Sequence, residues 1–363
     1  MTEREELELC LSQNLPDIGG KELIIWGTGN TAQLYQEGLS RLEVEGFYIS
    51  AYVDSNESKW GKEFNGKKIY SPQDVQKLDN IVILICSPTP RVIHEISQII
   101  EGLGLSYYHI DEVILKAHKD QVLSAYDLLN DEKSKHIYAE LIKCHMQGIY
   151  PDSELVSDND KQYFEWGKVC GERTLDSFID CGAYVGDSIE RYIWNLDGVF
   201  KKIIALEPDA GNYAAMEKRV ERLKSEWNIQ SSKIELFPYG VGNESMEMAF
   251  DSYDTNNGLG SKFVSESESD ETCKIVALDD ILPDEKYNFL KADIESFEYK
   301  MLEGANDYIQ KYHPNIAVCI YHNVVDFYSI INMLHEKYPE YFFAVRHYTN
   351  VLSETVLYCW LAE

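Results

Sequence analysis

The stretch SFIDCGAYVGDSIERYIWNLDGVFKKIIALEPD, residues 177–209, constrains the fold more than any other part of the chain. A short apolar strand runs into a glycine-containing turn from Asp180 to Gly186, and a helix is predicted to follow. A second apolar strand, residues 202–206, ends on Glu207. Glycines let a chain turn tightly and bring backbone N–H groups close to a ligand. The stretch therefore predicts one strand–turn–helix–strand unit of a Rossmann-like sheet.

The acid after the second strand has the spacing of a ribose-binding residue. Glu207 lies 21 residues past Gly186, close to the usual offset of about 20. The turn reads D-x-G-x-x-x-G, not the G-x-G-x-x-G of nicotinamide enzymes that holds a diphosphate. This pattern favours a nucleoside ligand without phosphates, and S-adenosylmethionine is the common one. An ordinary βαβ turn followed by a chance glutamate is the alternative.

The order of the later elements separates two kinds of nucleotide-binding fold. Strands are predicted at residues 234–239, 287–292 and 316–321, and two more at 341–348 and 355–361 have no helix between them. Two strands joined without a crossover must pair as an antiparallel hairpin. Parallel strands closed by such a hairpin are the layout of class I methyltransferases, whereas a nicotinamide Rossmann domain has six parallel strands.

A second glycine turn lies near the N-terminus. A buried strand, residues 23–26, leads into GTGNTA, a G-x-G-x-x-A turn, and the strand at residues 47–53 ends on Asp54. This region resembles the small nucleotide-sugar-binding domain attached to some sugar acetyltransferases, which implies a nucleotide or nucleotide-sugar ligand. A degenerate module used for packing or dimerisation is an equal alternative. The predicted residues of this second site are Gly27, Gly29, Asn30 and Asp54.

Length and pattern together predict an α/β protein of two domains, because 363 residues are long for one. We expect a Rossmann-like nucleotide-binding-type domain over residues 1–115, a helical linker over 116–175 and a methyltransferase-type domain over 176–363. Linker residues 162–164 are expected to reach the cofactor cleft. Residues 251–272 are polar and turn-rich and are predicted to form an exposed loop.

Charge and cysteine content restrict the partners. The chain has 62 acidic and 33 basic residues, a net charge of −29, which argues against nucleic acid or an anionic membrane surface as partner. Its eight cysteines show no C-x-x-C spacing, so we expect free thiols and no structural zinc. With no apolar run of 18 residues and no signal-peptide pattern, we predict a cytoplasmic protein.

Residues from about 160 to 363 resemble the FkbM family of S-adenosylmethionine-dependent methyltransferases. The matching pieces are FIDCGAYVGDS, ALEPD, PYGVG, LDDIL, FLKADIESFEYKMLEGA and AVCIYHNVVDFYSII…VRHY…ETVLY, in the family's order. The resemblance implies O-methylation, often of sugars or other hydroxylated products. One departure concerns the residue after the glutamate of the D-I-E motif, which is usually glycine in the family and is Ser296 here. That departure affects what the resemblance implies about the identity of the substrate more than what it implies about cofactor binding.

In an open α/β sheet the ligand lies over the carboxyl ends of the strands. The residues at these ends, together with the resemblance, give the predicted S-adenosylmethionine site, in which Glu207 takes the ribose hydroxyls. The predicted cofactor-binding residues are Asp180, Gly182, Ala183, Tyr184, Gly186, Ser188, Glu207, Pro208, Gly240, Val241 and Asp293.

A sugar hydroxyl must lose its proton during methyl transfer, which requires a general base or a metal. His322 is the candidate base, since its reference pKa of about 6.5 suits proton removal near neutrality, and Asp293 is expected to orient it. A metal held by Asp293, Glu295 and His322 is a less favoured alternative, so no metal is predicted. Glu295 and Glu298 are expected to open a helix over residues 295–312, where acidic side chains favour the helix dipole. The predicted substrate-binding residues are Glu295, Asp326, Arg346 and His347.

The leading hypothesis is an S-adenosylmethionine-dependent O-methyltransferase acting on a hydroxyl of a sugar, a glycan or a related metabolite. One rival is a nucleotide-dependent oxidoreductase or nucleotide-sugar-binding protein that uses the N-terminal domain. The other is a binding module that keeps a vestigial methyltransferase fold. Whether the protein forms a homodimer is left open.

Overall fold

The computed structural model describes residues 1–13, 18, 20–29, 32, 35, 48–171, 173–251, 262–263 and 272–361. The chain divides into two compact units. The first unit contains Met1–Ser157, Tyr321–Asn332 and His347–Glu354, and the second contains Asp158–Ile320, Met333–Arg346 and Thr355–Glu363. The predicted boundaries at residues 115 and 175 stay predictions.

The first unit is built on a six-stranded sheet with the strand order β3-β4-β2-β1-β5-β6. β1 pairs in parallel with β2 on one side and with β5 on the other. The strands that follow β1 in sequence are therefore added on both sides of it, as in a Rossmann sheet. The elements are α1 (Glu3–Ser12), β1 (Glu22–Trp26), β2 (Ile49–Val53), β3 (Glu63–Phe64), β4 (Lys67–Tyr70), α2 (Pro72–Val75), β5 (Ile81–Ile85), α3 (Pro90–Gly102), β6 (Tyr107–His109), α4 (Ile110–Ala117), α5 (Lys119–Leu128) and α6 (Glu132–Gln147).

The core of this sheet follows from its sequence. Every residue of β5 is buried, as expected for a parallel strand covered on both faces. Ile93, Ile96 and Ile100 recur at helical spacing on α3 and pack into the cluster that contains Ile83 and Ile85. Two helices, α5 and α6, lie within the segment that was predicted to be a helical linker.

The second unit is built on a seven-stranded sheet with the order β16-β17-β15-β14-β7-β8-β9. The elements from residue 158 onward are α7 (Trp166–Val169), β7 (Ser177–Cys181), α8 (Asp187–Asn195), β8 (Lys202–Leu206), α9 (Ala210–Glu226), β9 (Ile234–Phe237), β10 (Gly240–Val241), β11 (Met246–Asp251), β12 (Lys262–Phe263), β13 (Thr272–Val276), α10 (Leu278–Ile281), β14 (Phe289–Ala292), α11 (Glu298–Glu303), α12 (Asn306–Tyr312), β15 (Asn315–Cys319), α13 (Asp326–Lys337), β16 (Tyr341–His347) and β17 (Thr355–Leu361).

Strand pairing confirms the predicted fold class. β7 pairs in parallel with β8 and β14, and β14 pairs in parallel with β15. β17 runs antiparallel to β15 and lies between β15 and β16. The C-terminal strands therefore close a parallel sheet in the predicted way. In this register Asp180 of β7 lies opposite Lys291 of β14.

The predicted helix over residues 295–312 is wrong. Two helices, α11 and α12, occupy this stretch, and α11 begins at Glu298. Glu295 and Ser296 have φ of +54° and +74°, a left-handed conformation that a right-handed helix cannot contain. Between the helices, a Cβ added to Gly304 would lie 2.1 Å from the carbonyl oxygen of Gly242, so tight packing accompanies the break.

A small sheet with the order β10-β13-β11-β12 follows β9 in place of a helix. Most of the loop predicted at residues 251–272 lies outside the described residues. All eight cysteines are free thiols, as predicted. Across the described ranges, none of the helices has the length and apolar character needed to cross a bilayer.

Candidate active site

The turn after β7 is packed closely against the neighbouring strand end. Gly182 has φ +74°, and a Cβ added there would lie 1.9 Å from the backbone oxygen of Asp293. The backbone N–H of Gly182 donates to Leu206, the last residue of β8, at 3.0 Å. Tyr184, with φ +48°, is 50% exposed. Only glycine fits at position 182, and the turn presents Tyr184 to the surface.

A buried ion pair lies beneath this turn. Asp180 is fully buried, accepts a hydrogen bond from the Ser188 hydroxyl and lies 3.0 Å from the Lys291 ammonium. Lys291 also donates to the carbonyl oxygen of Gly182 at 2.7 Å. Burial alone would lower the pKa of the Lys291 ammonium, but the Asp180 and Asp293 carboxylates outweigh it and raise that pKa well above its ordinary value. Lys291 therefore stays charged and ties β14 to the turn.

Glu207 is held in one orientation by three donors. Its Oε2 accepts the N–H of Tyr184 at 2.9 Å, and its Oε1 accepts the N–H of Asp209 at 3.0 Å and the side-chain amide of Asn212 at 3.5 Å. A carboxylate offers about four acceptor positions, so the side chain keeps acceptor capacity. Burial raises the pKa of the Glu207 carboxyl, although the two backbone N–H groups oppose the rise.

Asp293 follows β14 and contacts two other parts of the second unit. Its N–H donates to the carbonyl oxygen of Cys181 at 3.1 Å. Its Oδ2 accepts a hydrogen bond from the Tyr163 hydroxyl at 2.8 Å. The Tyr163 ring centroid lies 5.2 Å from the ammonium of Lys291. The segment that was predicted to reach the cofactor cleft therefore contacts Asp293 through Tyr163, and its place beside a cofactor stays a prediction.

Of the other predicted cofactor residues, Ala183 lies in the turn after β7, and Pro208, Gly240 and Val241 lie further along the chain. Ala183 is buried, and its N–H donates to the carbonyl oxygen of Leu206 at 3.0 Å. Pro208 directly follows Glu207 and is half-buried. Gly240 and Val241 form β10 and pair with β13 in the small sheet, so they do not belong to the main sheet.

Glu298 has a structural role. It is fully buried, and its Oε1 accepts the backbone N–H of Ile294 at 2.8 Å, in the turn that precedes α11. Glu295 is outside the helix that it was predicted to open. The D-I-E motif therefore forms a left-handed turn that Glu298 closes.

Residues 180–347 match the family model described as the methyltransferase FkbM domain. Over this stretch the chain resembles an FkbM methyltransferase domain. Residues 20–111 match a second family model, described as C2185-like, N-terminal. The comparison with curated proteins gave no match.

One solved structure has the same fold along almost the whole length of this chain. The crystal structure of methyltransferase FkbM from Methylobacillus flagellatus KT matches with a TM-score of 0.60 and 20% identity, and the match covers 99% of each chain. The methyltransferase domain of delta-N METTL16 matches with a TM-score of 0.32 and 12% identity, over 56% of this chain and 81% of that chain. The first likeness establishes the fold, and the FkbM domain supports a methyltransferase.

Ser296 has an unfavourable backbone conformation in the D-I-E turn. Its φ of +74° belongs to the region that glycine adopts without steric cost. Its hydroxyl is buried and makes no hydrogen bond to any described residue. The position where the family usually has glycine therefore has glycine's backbone conformation.

We expect Ser296→Gly to raise the free energy of unfolding by up to about 1 kcal/mol. Relief of the left-handed strain contributes about 1–2 kcal/mol, and the greater freedom of glycine in the unfolded chain offsets about half of it. Urea unfolding measures the change. Ser296→Ala is the control, because it removes the hydroxyl and keeps the Cβ. A Gly variant no more stable than the Ala variant would contradict the strain argument.

His322 lies three residues beyond the end of β15, because the strand ends at Cys319 and not at residue 321 as predicted. The connection between β15 and α13, not the strand itself, therefore sets its direction. His322 belongs to the first unit and Asp293 to the second, so the predicted orientation of one by the other stays a prediction.

The predicted substrate-binding residues of the C-terminal strands are buried. Arg346 is 3% exposed and His347 is fully buried. Burial, followed by the charge of His145, lowers the pKa of His347 to about 4, although the backbone at Thr349 and Val351 opposes the change. His347 is therefore neutral near pH 7. Asp326 begins α13 and is 8% exposed. Their substrate-binding roles stay predictions.

The glycine turn of the first unit is also tightly packed. Gly27 has φ +126°, and a Cβ there would lie 2.8 Å from the carbonyl oxygen of Cys86. Around Gly29, in contrast, no described atom lies within 4 Å of such a Cβ. Asn30, the third residue predicted for this site, lies outside the described residues.

Asp54 holds its own turn together. Its Oδ2 accepts hydrogen bonds from the Thr28 hydroxyl, from the Thr28 N–H at 3.2 Å and from the Lys59 ammonium at 3.0 Å. Its Oδ1 accepts the N–H of Asn56 at 2.8 Å. Four donors therefore surround the carboxylate that was predicted to belong to the second nucleotide site. The nucleotide role of this site stays a prediction.

The residue that the sequence reasoning missed is Lys291. A usable signal was present, since the apolar strands SFIDC and FLKA each contain one charged residue, of opposite sign. A charge in a buried strand needs a partner, so each strand indicated that a partner exists, although not where it lies.

Proposed function

We propose that the protein is an S-adenosylmethionine-dependent methyltransferase that methylates a hydroxyl on a sugar, a glycan or a related metabolite. The observation that carries the proposal is the Glu207 carboxylate. Donors from the β7 turn and from the start of α9 fix it beside the exposed Tyr184. A preset carboxylate beside a close-packed glycine turn suits a nucleoside ribose.

The strand order supports a direction for the cofactor. β8, which precedes Glu207, and β14, which precedes Asp293, lie on opposite sides of β7. A ligand laid across these strand ends with its ribose at Glu207 directs its other end towards Asp293. In S-adenosylmethionine that other end carries the sulfonium and the amino group, and a carboxylate complements both positive charges. The residues of the turn therefore fit this cofactor.

S-adenosylmethionine supplies the activated methyl group for in-line transfer to the acceptor oxygen. The protein's part is to align cofactor and acceptor and to exclude water, which accounts for much of the rate of such reactions. Glu207 and the β7 turn would bind the nucleoside, Asp293 would face the sulfonium end, and His322 would take the acceptor's proton. Ser296, which stands where the family usually has glycine, bears on the identity of the methyl acceptor. The proposal therefore names the acceptor only as a hydroxylated metabolite.

Titration calorimetry with S-adenosylmethionine, S-adenosylhomocysteine, NAD and UDP-glucose tests the proposal. We expect the first two to bind. A panel of free sugars, UDP-sugars and glycosides, screened for release of S-adenosylhomocysteine, then identifies the acceptor. Binding of NAD alone, abolished by Asp54→Ala, would instead favour the oxidoreductase alternative.

Glu207→Ala is expected to weaken S-adenosylmethionine binding about 10- to 150-fold, corresponding to about 1.5–3 kcal/mol for hydrogen bonds to a charged acceptor. Calorimetry gives the change in Kd. Glu235→Ala, which removes an exposed carboxylate from the neighbouring β9, is the control and should leave Kd unchanged. An unaltered Kd in Glu207→Ala would remove the ribose assignment.

The same experiment has a predicted pH dependence. The ionised carboxylate accepts the ribose hydroxyls, so affinity should fall as decreasing pH protonates Glu207. Because burial raises the pKa of Glu207 above its ordinary 4.5, the fall should begin at a higher pH than for an exposed glutamate. The Glu207→Ala variant should not show this fall in affinity at low pH.

A further inference from the structure

Tyr163 has a backbone conformation that tyrosine seldom adopts. Its φ is +68°, in the left-handed region, and such residues persist where the surrounding structure fixes them. The segment that contains it follows the short 3-10 helix Asn159–Lys161. Tyr163 is 6% exposed, so its hydroxyl is placed inside the second unit.

Neighbouring aromatic rings hold this segment in place. The Phe164 ring lies edge-on to the rings of Phe178 and Phe289, with centroids 6.4 and 5.9 Å away. Phe178 is on β7 and Phe289 is on β14, the two strands that carry Asp180 and Lys291. The segment is therefore anchored on the strands whose ends form the proposed cofactor site.

The Tyr163 hydroxyl bridges groups at the ends of adjacent strands. It donates to Asp293 Oδ2 at 2.8 Å and accepts from the side-chain amide of Gln162 at 3.0 Å. The Sγ atom of Cys319, the last residue of β15, lies 3.5 Å away. Because Gln162 supplies a donor, the hydroxyl's own proton is directed to the Asp293 carboxylate.

We propose that Tyr163 is a positioning residue of the methyl-transfer site, which fixes the Asp293 carboxylate at the sulfonium end of the cofactor. The inference rests on the proposed function. A hydrogen bond from a fixed hydroxyl removes the rotational freedom of the carboxylate and keeps its charge in one place. Nothing in the D-I-E motif itself supplies this contact, which comes from a segment 130 residues earlier.

A fixed carboxylate at that position has a measurable consequence. S-adenosylmethionine carries a positive sulfonium, whereas S-adenosylhomocysteine has a neutral thioether and is otherwise the same molecule apart from the methyl group. A carboxylate facing the sulfur therefore favours the charged ligand. The ratio of the two Kd values reports on the placement of Asp293 and needs no methyl acceptor.

Calorimetry on the full chain should show tighter binding of S-adenosylmethionine than of S-adenosylhomocysteine. In Tyr163→Phe, which keeps the ring and removes the hydroxyl, we expect this preference to fall about tenfold, the loss expected for one hydrogen bond to a charged group. The matched control is Tyr192→Phe. It removes a hydroxyl that donates to the Leu175 carbonyl oxygen, in the same aromatic cluster, and should leave the preference unchanged.

A double-mutant cycle shows whether Tyr163 acts through Asp293. If it does, Tyr163→Phe has no further effect on the Kd ratio in an Asp293→Asn background. Additive effects would overturn the proposal, as would an unchanged ratio in Tyr163→Phe, an equal loss in Tyr192→Phe or a wild-type ratio of one. Failure of the wild type to bind either ligand would instead overturn the proposed function.

Discussion

Lys291→Met is expected to lower the free energy of unfolding of the second unit by about 3–5 kcal/mol, the usual result of removing one partner of a buried ion pair. Methionine fills most of the space of the lysine side chain, so the loss comes from charge and not from a cavity. Asp180 is fully buried, and Lys291 is its cationic partner at 3.0 Å. The substitution leaves that carboxylate in the centre of the sheet without a countercharge.

Urea unfolding followed by tryptophan fluorescence measures this loss. The matched control is Lys202→Met on β8, whose ammonium pairs with Glu285 at 2.6 Å in an exposed position, and we expect a change below about 1 kcal/mol. Adding Asp180→Asn to Lys291→Met should recover part of the loss, because it removes the uncompensated charge. Equal effects of the Lys291 and Lys202 variants would contradict the role of the buried pair.

His322→Ala is expected to lower kcat about 10²–10⁴-fold, the usual weight of a general base, and to leave the Kd for S-adenosylmethionine unchanged. The physical reason is the acceptor hydroxyl, which must lose its proton as the methyl group arrives. The measurement uses the acceptor identified in the sugar panel.

His335→Ala, which changes a histidine on α13, serves as the control and should keep the wild-type rate. Rescue of His322→Ala by a divalent ion, with inhibition of the wild type by a chelator, would favour a metal at the site instead. Near-normal turnover in His322→Ala would assign the proton to another group. The corrected end of β15 makes this test informative, since His322 lies in the connection after the strand and not at the strand's end.

Much of the second unit's architecture was predictable from local sequence. Apolar runs such as residues 202–206 appear as strands at the expected positions, and the two C-terminal strands without a helix between them give the expected hairpin. Strand period and connection length depend on neighbouring residues alone. The D-x-G-x-x-x-G turn was readable for the same reason, because close backbone approach demands glycine at position 182.

Features set by distant contacts were not predictable in the same way. Asp180 and Lys291 are opposite each other only because β14 pairs with β7 across more than a hundred residues of chain. The left-handed turn at Glu295 and Ser296 overrides a helical pattern, since the carboxylate of Glu298 binds the N–H of Ile294. Tyr163 reaches Asp293 through a strained backbone that no propensity favours.

The order of strands in the larger sheet has a consequence for synthesis on the ribosome. β17 lies between β15 and β16, although it is the last of the three to be translated. The first unit likewise includes residues from Tyr321–Asn332 and His347–Glu354. Neither unit can therefore be completed on the growing chain before the codons for β17, or those just ahead of it, have been read. Until then β15 has an unpaired edge, and unpaired strand edges are open to pairing with other chains.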